Sequence, residues 1–105
     1  MTHRFGLIES DVRAIHDILA RYPQVKKCVI YGSRAKGNYK KGSDIDLTLQ
    51  GGTDLNLDVL VRIMEDIDNL LLPYTFDISI FRYIETPDMI AHIKRVGILF
   101  YERTV

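Results

Sequence analysis

The sequence predicts an α+β domain in which a single mixed four-stranded sheet carries about three helices. Apolar residues recur at helical spacing over 10–22, over 56–71 and again after Thr86-Pro87. Four short runs rich in β-branched and aromatic residues lie between and after these stretches. The link between the first two runs is too short for the crossover helix that parallel neighbours require, so that pair is antiparallel and the sheet mixed.

Taken in order, residues 1–8 carry little pattern and read as an arm. Ser10 offers an N-cap with Asp11 in the first turn, and Val12, Ile15, Leu19 and Tyr22 form one apolar stripe that Pro23 closes. Val25 to Tyr31 reads as a strand buried on both faces, with Cys28 a core hydrophobe within it. Gly32 breaks the strand, Ser33 to Lys36 suit one helical turn, and Gly37-Asn38 and Gly42-Ser43 mark loop. Asp44 to Gln50 alternates, with Ile45, Leu47 and Leu49 on one face and Asp44, Asp46, Thr48 and Gln50 on the other. The helix at 56–71 places Leu57, Leu60, Val61, Met64, Ile67 and Leu71 on its buried stripe, before Pro73. Thr75 to Arg82 alternates again, Thr86-Pro87 starts a helix that Gly97 ends, and Ile98 to Glu102 forms the last strand.

The chain has 105 residues, 47% of them hydrophobic, enough for one compact core and one domain over 1–105. A formal net charge of zero argues against a nucleic-acid coat and against an anionic-membrane binder. A single cysteine, no secretory h-region and no long apolar run point to a protein of the reducing cytosol. His3, His16 and His92 share no metal-ligand spacing and read as surface or partly packed residues.

Chemistry concentrates between Tyr31 and Leu47. Asp44 and Asp46, two apart on a strand, leave the same face with Cα atoms about 6.5–7 Å apart and repel unless a cation lies between them. Oxygen-only donors select hard ions, most readily Mg²⁺, and two such ions clamp an in-line phosphoryl displacement. Asp77, on the polar face of its own strand, is the third carboxylate and the candidate base. Gly32 and Ser33 offer close backbone approach and free N–H groups at a helix start. Arg34, Lys36, Lys40 and Lys41 can neutralise a triphosphate, and Ser43 either contacts a phosphate or caps the loop. Tyr39 can stack on a base or simply sit exposed in the loop. Each piece alone has an ordinary explanation as turn or solvated surface; their order and spacing together are specific.

With Tyr31-Gly32-Ser33, ten residues, Asp44-Ile45-Asp46-Leu47 and a later Asp77, the chain resembles the DNA polymerase β-like nucleotidyltransferases. The string G-S-R-A-K-G followed by S-D-I-D-L resembles their minimal nucleotidyltransferase branch. The resemblance implies a polymerase β palm-like fold and transfer of a nucleoside monophosphate, AMP from ATP or another nucleoside triphosphate, to a hydroxyl. It implies Asp44, Asp46 and Asp77 as catalytic, metal-binding residues of a two-Mg²⁺ site, with Gly32 and Ser33 holding the triphosphate. It also implies an antitoxin that modifies a HEPN-domain toxin in a hetero-oligomer. A non-catalytic subunit that neutralises its partner by contact, and a transferase acting on a small molecule such as an aminoglycoside, are the alternatives. Leu70 to Tyr74 and Ile98 to Tyr101 are candidate partner contacts, with burial in the core as the competing reading.

Overall fold

The computed structural model describes residues 3–104. A short hairpin comes first, β1 (His3–Arg4) and β2 (Leu7–Ile8), followed by α1 (Glu9–Ala20), β3 (Val25–Tyr31) and α2 (Gly32–Lys36). Then come β4 (Ile45–Gly51), α3 (Leu57–Asp68), β5 (Phe76–Ile80), α4 (Pro87–Val96) and β6 (Ile98–Glu102). The main sheet runs β5-β4-β3-β6. Strand β3 is antiparallel to β4 and to β6, while β4 and β5 are parallel. The mixed sheet and the antiparallel first pair are therefore as the sequence predicts. The parallel step is the one bridged by a full helix, α3.

Helices α1 and α3 share one face of this sheet. Val12, Ile15, Ile18 and Leu19 from α1 and Val59, Ile63 and Ile67 from α3 close over Cys28, Ile30, Ile45, Leu47, Leu49, Ile78 and Ile80 in one core. Burial pushes the Cys28 thiol far above its ordinary range, in keeping with a core role. Helix α4 packs against β3 and α2. No described helix is long and apolar enough to cross a membrane.

Several local expectations are corrected. Met1 and Thr2 of the expected arm lie outside the described residues, but 3–8 form a hairpin, with Phe5 and Gly6 both at positive φ in its two-residue turn. Because β2 feeds straight into α1, the helix begins at Glu9 with Ile8 in the N-cap position, and Ser10 is inside the first turn. Arg4 then grips Glu9 through two hydrogen bonds of 2.8 and 2.9 Å, so the hairpin braces the helix start.

Helix α3 is shorter than expected, and of its expected stripe Ile67 is buried and Leu60 packs against the core while the inward face is shifted toward Val59 and Ile63. Asn56 caps it by accepting from the Val59 N–H, and Val59, Ile63 and Ile67 face the core. Leu57 and Val61 are more than half exposed, and Met64, read as core, is 43% exposed. The apolar arc of α3 is wide, so periodicity alone does not say which part of it faces inward, and the sheet selects the edge that holds Val59, Ile63 and Ile67. Leu71 lies beyond the helix at φ 55 and is 88% exposed, whereas Leu70 and Leu72 pack against the core. Of the last strand, Ile98 and Leu99 are exposed and Phe100 is buried.

The two stripes of α3 are separable by mutation. Ile63→Ala should cost about 2–5 kcal/mol in urea unfolding, as for a buried large-to-small change. Leu57→Ala should stay within about 0.5 kcal/mol. Similar losses at both positions would reverse the assignment of the inward face.

Candidate active site

The register of the sheet sets the site. Asp46 on β4 lies opposite Asp77 on parallel β5, and on its other side opposite Tyr31 at the end of β3. Parallel neighbours in register present side chains on one face, so the two carboxylates flank each other about 4.8 Å apart at the backbone. Burial first, then the charges of Asp77 and Asp44, hold the Asp46 carboxyl above its ordinary range, with His92 opposing.

Gly32 explains why the glycine at the end of β3 is needed. Its φ is +74, and a Cβ there would lie 2.3 Å from Oδ2 of Asp46. The carboxylate thus rests against the start of α2, and the two halves of the Tyr31–Leu47 stretch meet at that contact. Ser33 follows as the second residue of α2, partly exposed.

Asp44 is placed differently from its strand-borne companion. It stands one residue before β4, is exposed, and accepts a hydrogen bond on Oδ1 from the Thr75 hydroxyl. The Ile45 N–H donates to the Thr75 carbonyl at 2.8 Å, so the β4–β5 ladder starts at this corner. Among the described residues no three His, Cys, Asp or Glu side chains close into a ready metal cage. Asp46 and Asp77 form the core of the site, with Asp44 at its edge. The donor set is nonetheless all oxygen and self-repelling, which is the chemistry a hard divalent cation relieves.

Arg34 is not held open for a phosphate. It is 4% exposed; Nε and Nη2 both donate to the Ser43 carbonyl, at 3.1 and 2.9 Å, and Nη1 donates to the Phe5 carbonyl at 2.9 Å. Its guanidinium also lies within 5.2 Å of the Tyr39 ring centre and 5.5 Å of the Tyr74 ring centre. It clasps the hairpin turn, the cationic loop and the segment before β5, and its grip on Ser43 fixes the residue beside Asp44. Tyr39 is accordingly a partner of Arg34. Ser43 caps its loop: its Oγ accepts from the Lys40 N–H at 2.8 Å, and its N–H donates to the Lys40 carbonyl at 3.0 Å. Lys36, Lys40 and Lys41 are exposed.

Sequence reasoning missed the polar wall beside the carboxylates. His92, on α4, sets its ring edge-on to Tyr31 at 6.2 Å and is close enough to influence Asp46. Burial above all, with Asp77 and Asp46, pushes the Tyr31 hydroxyl up, partly offset by Ser79. Ser79 in turn donates to Thr48 at 3.0 Å. Nothing in the spacing of His92 signals this; only the packing of α4 on β3 brings it there.

The polymerase beta nucleotidyltransferase family ("Polymerase beta, Nucleotidyltransferase") matches residues 13–104. The chain belongs to that family. A toxin-antitoxin structure with AMP-PNP matches at a TM-score of 0.71 and 17% identity, over 89% of this chain and 74% of that one. A mutant of the toxin-antitoxin MntA-HpeT matches at 0.68 and 14%, with the same coverages of 89% and 74%. A structure described as a minimal nucleotidyltransferase matches at 0.65 and 22%, over 91% of this chain and 95% of that one. These likenesses show that the fold is the nucleotidyltransferase fold. No curated protein matches the sequence.

Two outcomes follow from this geometry. Because the fold favours protonated Asp46, ionising it costs stability as pH rises past its ordinary value of 3.8, and costs nothing well below it. Asp46→Asn should therefore melt higher than the parent at pH 7, with the gap closing toward pH 3. A gap independent of pH would mean that Asp46 is not strained by its neighbours. For the clasp, Arg34→Met and Arg34→Lys should each lose about 2 kcal/mol or more in urea unfolding, since a point cation cannot span both carbonyls. Full rescue by lysine would show that charge alone is what Arg34 supplies.

Proposed function

We propose that the chain is a Mg²⁺-dependent nucleotidyltransferase that transfers AMP from ATP to a hydroxyl of a partner protein. The partner in this reading is a HEPN-type toxin, silenced by the modification in a cytosolic hetero-oligomer. The observation that carries the proposal is Asp46 facing Asp77 in register while resting against Gly32.

In this reading Asp44, Asp46 and Asp77 hold the metal, and the Gly32-Ser33 backbone and the Ser33 hydroxyl hold the triphosphate. Lys36, with Lys40 and Lys41, balances its charge. Ser43 shapes the loop, and Arg34 positions it. Bound Mg²⁺ supplies charge neutralisation at the phosphates and makes the attacking hydroxyl easier to deprotonate. Asp77 takes the proton of the acceptor hydroxyl, whose oxygen forms a bond to the α-phosphorus. The bond from that phosphorus to the bridging oxygen breaks, and pyrophosphate leaves. The toxin-antitoxin structure with AMP-PNP supports both the nucleotide and the kind of partner by analogy of fold.

A second reading, silencing by contact alone, draws on the engagement of Asp44 by Thr75 and on the lack of a closed three-carboxylate cage among the described residues. One pair of measurements separates the two. Calorimetry should show Mg-ATP binding to the parent chain and none to Asp44→Asn/Asp46→Asn, with unchanged circular dichroism. Intact mass of the co-purified partner should show an added adenylyl group with the parent only. Binding or transfer that survives the double change would remove these residues as ligands, and an inhibited but unmodified partner would establish the contact reading.

A further inference from the structure

Helix α3 and the edge strand β5 leave a groove of about 510 Å³ between them. Met64, Phe76 and Ile78 are among the apolar side chains that line it, and Glu65 and Asp68 stand at its rim. Val61, also in its lining, is 51% exposed. The loop joining its two walls holds Leu71 in the left-handed region with 88% of its surface in water. A non-glycine residue there carries a backbone cost of about 1 kcal/mol or more, and here nothing is gained by burying the side chain. On its far side β5 has no partner strand among the described residues.

Charge narrows the occupant. Neither Glu65 nor Asp68 forms an ion pair with a described residue. Helix α3 carries Asp58, Glu65, Asp66 and Asp68 against Arg62 alone, although the chain as a whole is neutral. An acidic rim around an apolar trough suits apolar side chains flanked by cations and repels a polyphosphate.

Position narrows it further. The strand order is β5-β4-β3, with Asp46 in the middle. Gly32, the phosphate-approach residue, lies on the β3 side, and the groove lies on the β5 side. An in-line transfer brings donor and acceptor to the reacting phosphorus from opposite directions. Thr75, at the groove's end, donates to Asp44, so the groove reaches the Asp44 corner from the α3 side of the sheet, while Asp46 and Asp77 lie on the other face.

We infer that the α3–β5 groove docks the acceptor-bearing partner protein, through an extended segment whose apolar side chains fill it and whose lysine or arginine side chains meet Glu65 and Asp68. The inference rests on the reading of the chain as a transferase that modifies a protein. The segment adds its backbone to the open edge of β5 and delivers a hydroxyl at the Asp44 corner.

The probes are three fluorescein-labelled peptides with a central tyrosine: leucine and lysine flanks, leucine and glutamate flanks, and serine and lysine flanks. By anisotropy the full chain should bind the leucine-lysine peptide alone, more weakly as salt rises. Met64→Arg and Glu65→Lys/Asp68→Lys should each weaken that binding at least tenfold, with melting temperature and Mg-ATP affinity unchanged. Equal binding of all three peptides, binding of none, or full binding by both variants would overturn the inference, as would adenosine displacing the peptide, which would make the groove a base pocket. Peptide binding that depends on these residues in a chain with no Mg-ATP affinity would leave the groove standing and defeat the transferase reading instead.

Discussion

The register of β4 is the constraint on which the site depends. Ile45, Leu47 and Leu49 are completely buried beneath α1 and α3, and a side chain of this kind contributes about 1.5–3 kcal/mol on burial. A slip of one residue would turn all three to the opposite face and drive Asp46 into the core. The apolar face therefore fixes the polar one. Asp46 is held on the site side, level with Asp77 and Tyr31, by residues that touch neither.

Arg34 does for the loop what the core does for the strand. The seven residues from Gly37 to Ser43 pass through two glycines at positive φ and have no helix or strand of their own. A buried guanidinium without a carboxylate partner is costly to desolvate, and the cost is offset by three hydrogen bonds to carbonyl oxygens and two aromatic faces. Tyr74, one of those faces, is itself tied to Asp11 at 3.0 Å and precedes Thr75, which holds Asp44. Hairpin, α1, loop and β5 thus converge on the entrance to β4.

What could be read from the sequence follows physical rules of short range. Val25 to Tyr31 and Ile98 to Glu102 match their strands because runs of β-branched and aromatic residues bounded by breakers leave few alternatives. Alternation put Asp46 and Asp77 on the polar faces of their strands, but that the two strands are parallel neighbours in register is seen only in the sheet. The inward face of α3 was legible only in part: Ile67 and Leu60 were placed on it, but Leu57, Val61 and Met64 satisfy the helical period as well as Val59 and Ile63 do, and only the sheet beneath decides. Arg34 was misread for a related reason: a cation in a glycine-rich loop looks solvent-borne until a hairpin 29 residues away supplies the Phe5 carbonyl. His92 required the docking of α4, which no local pattern encodes.

At the carboxylates the chain works against its own stability. Several other polar groups are engaged, as Thr48 is by Ser79 and Tyr22 by Asp66 at 2.5 Å, although Gln24 Oε1 and Arg103 Nε are buried without a partner. Asp46 instead sits partly buried between two like charges, with His92 the nearest opposing influence. Natural sequences accept such local conflict where function requires it. The same repulsion that raises the Asp46 carboxyl would be released as binding energy when positive charge arrives. The rigid register prevents the chain from relaxing that repulsion by moving the strands apart. A looser sheet would relieve that repulsion.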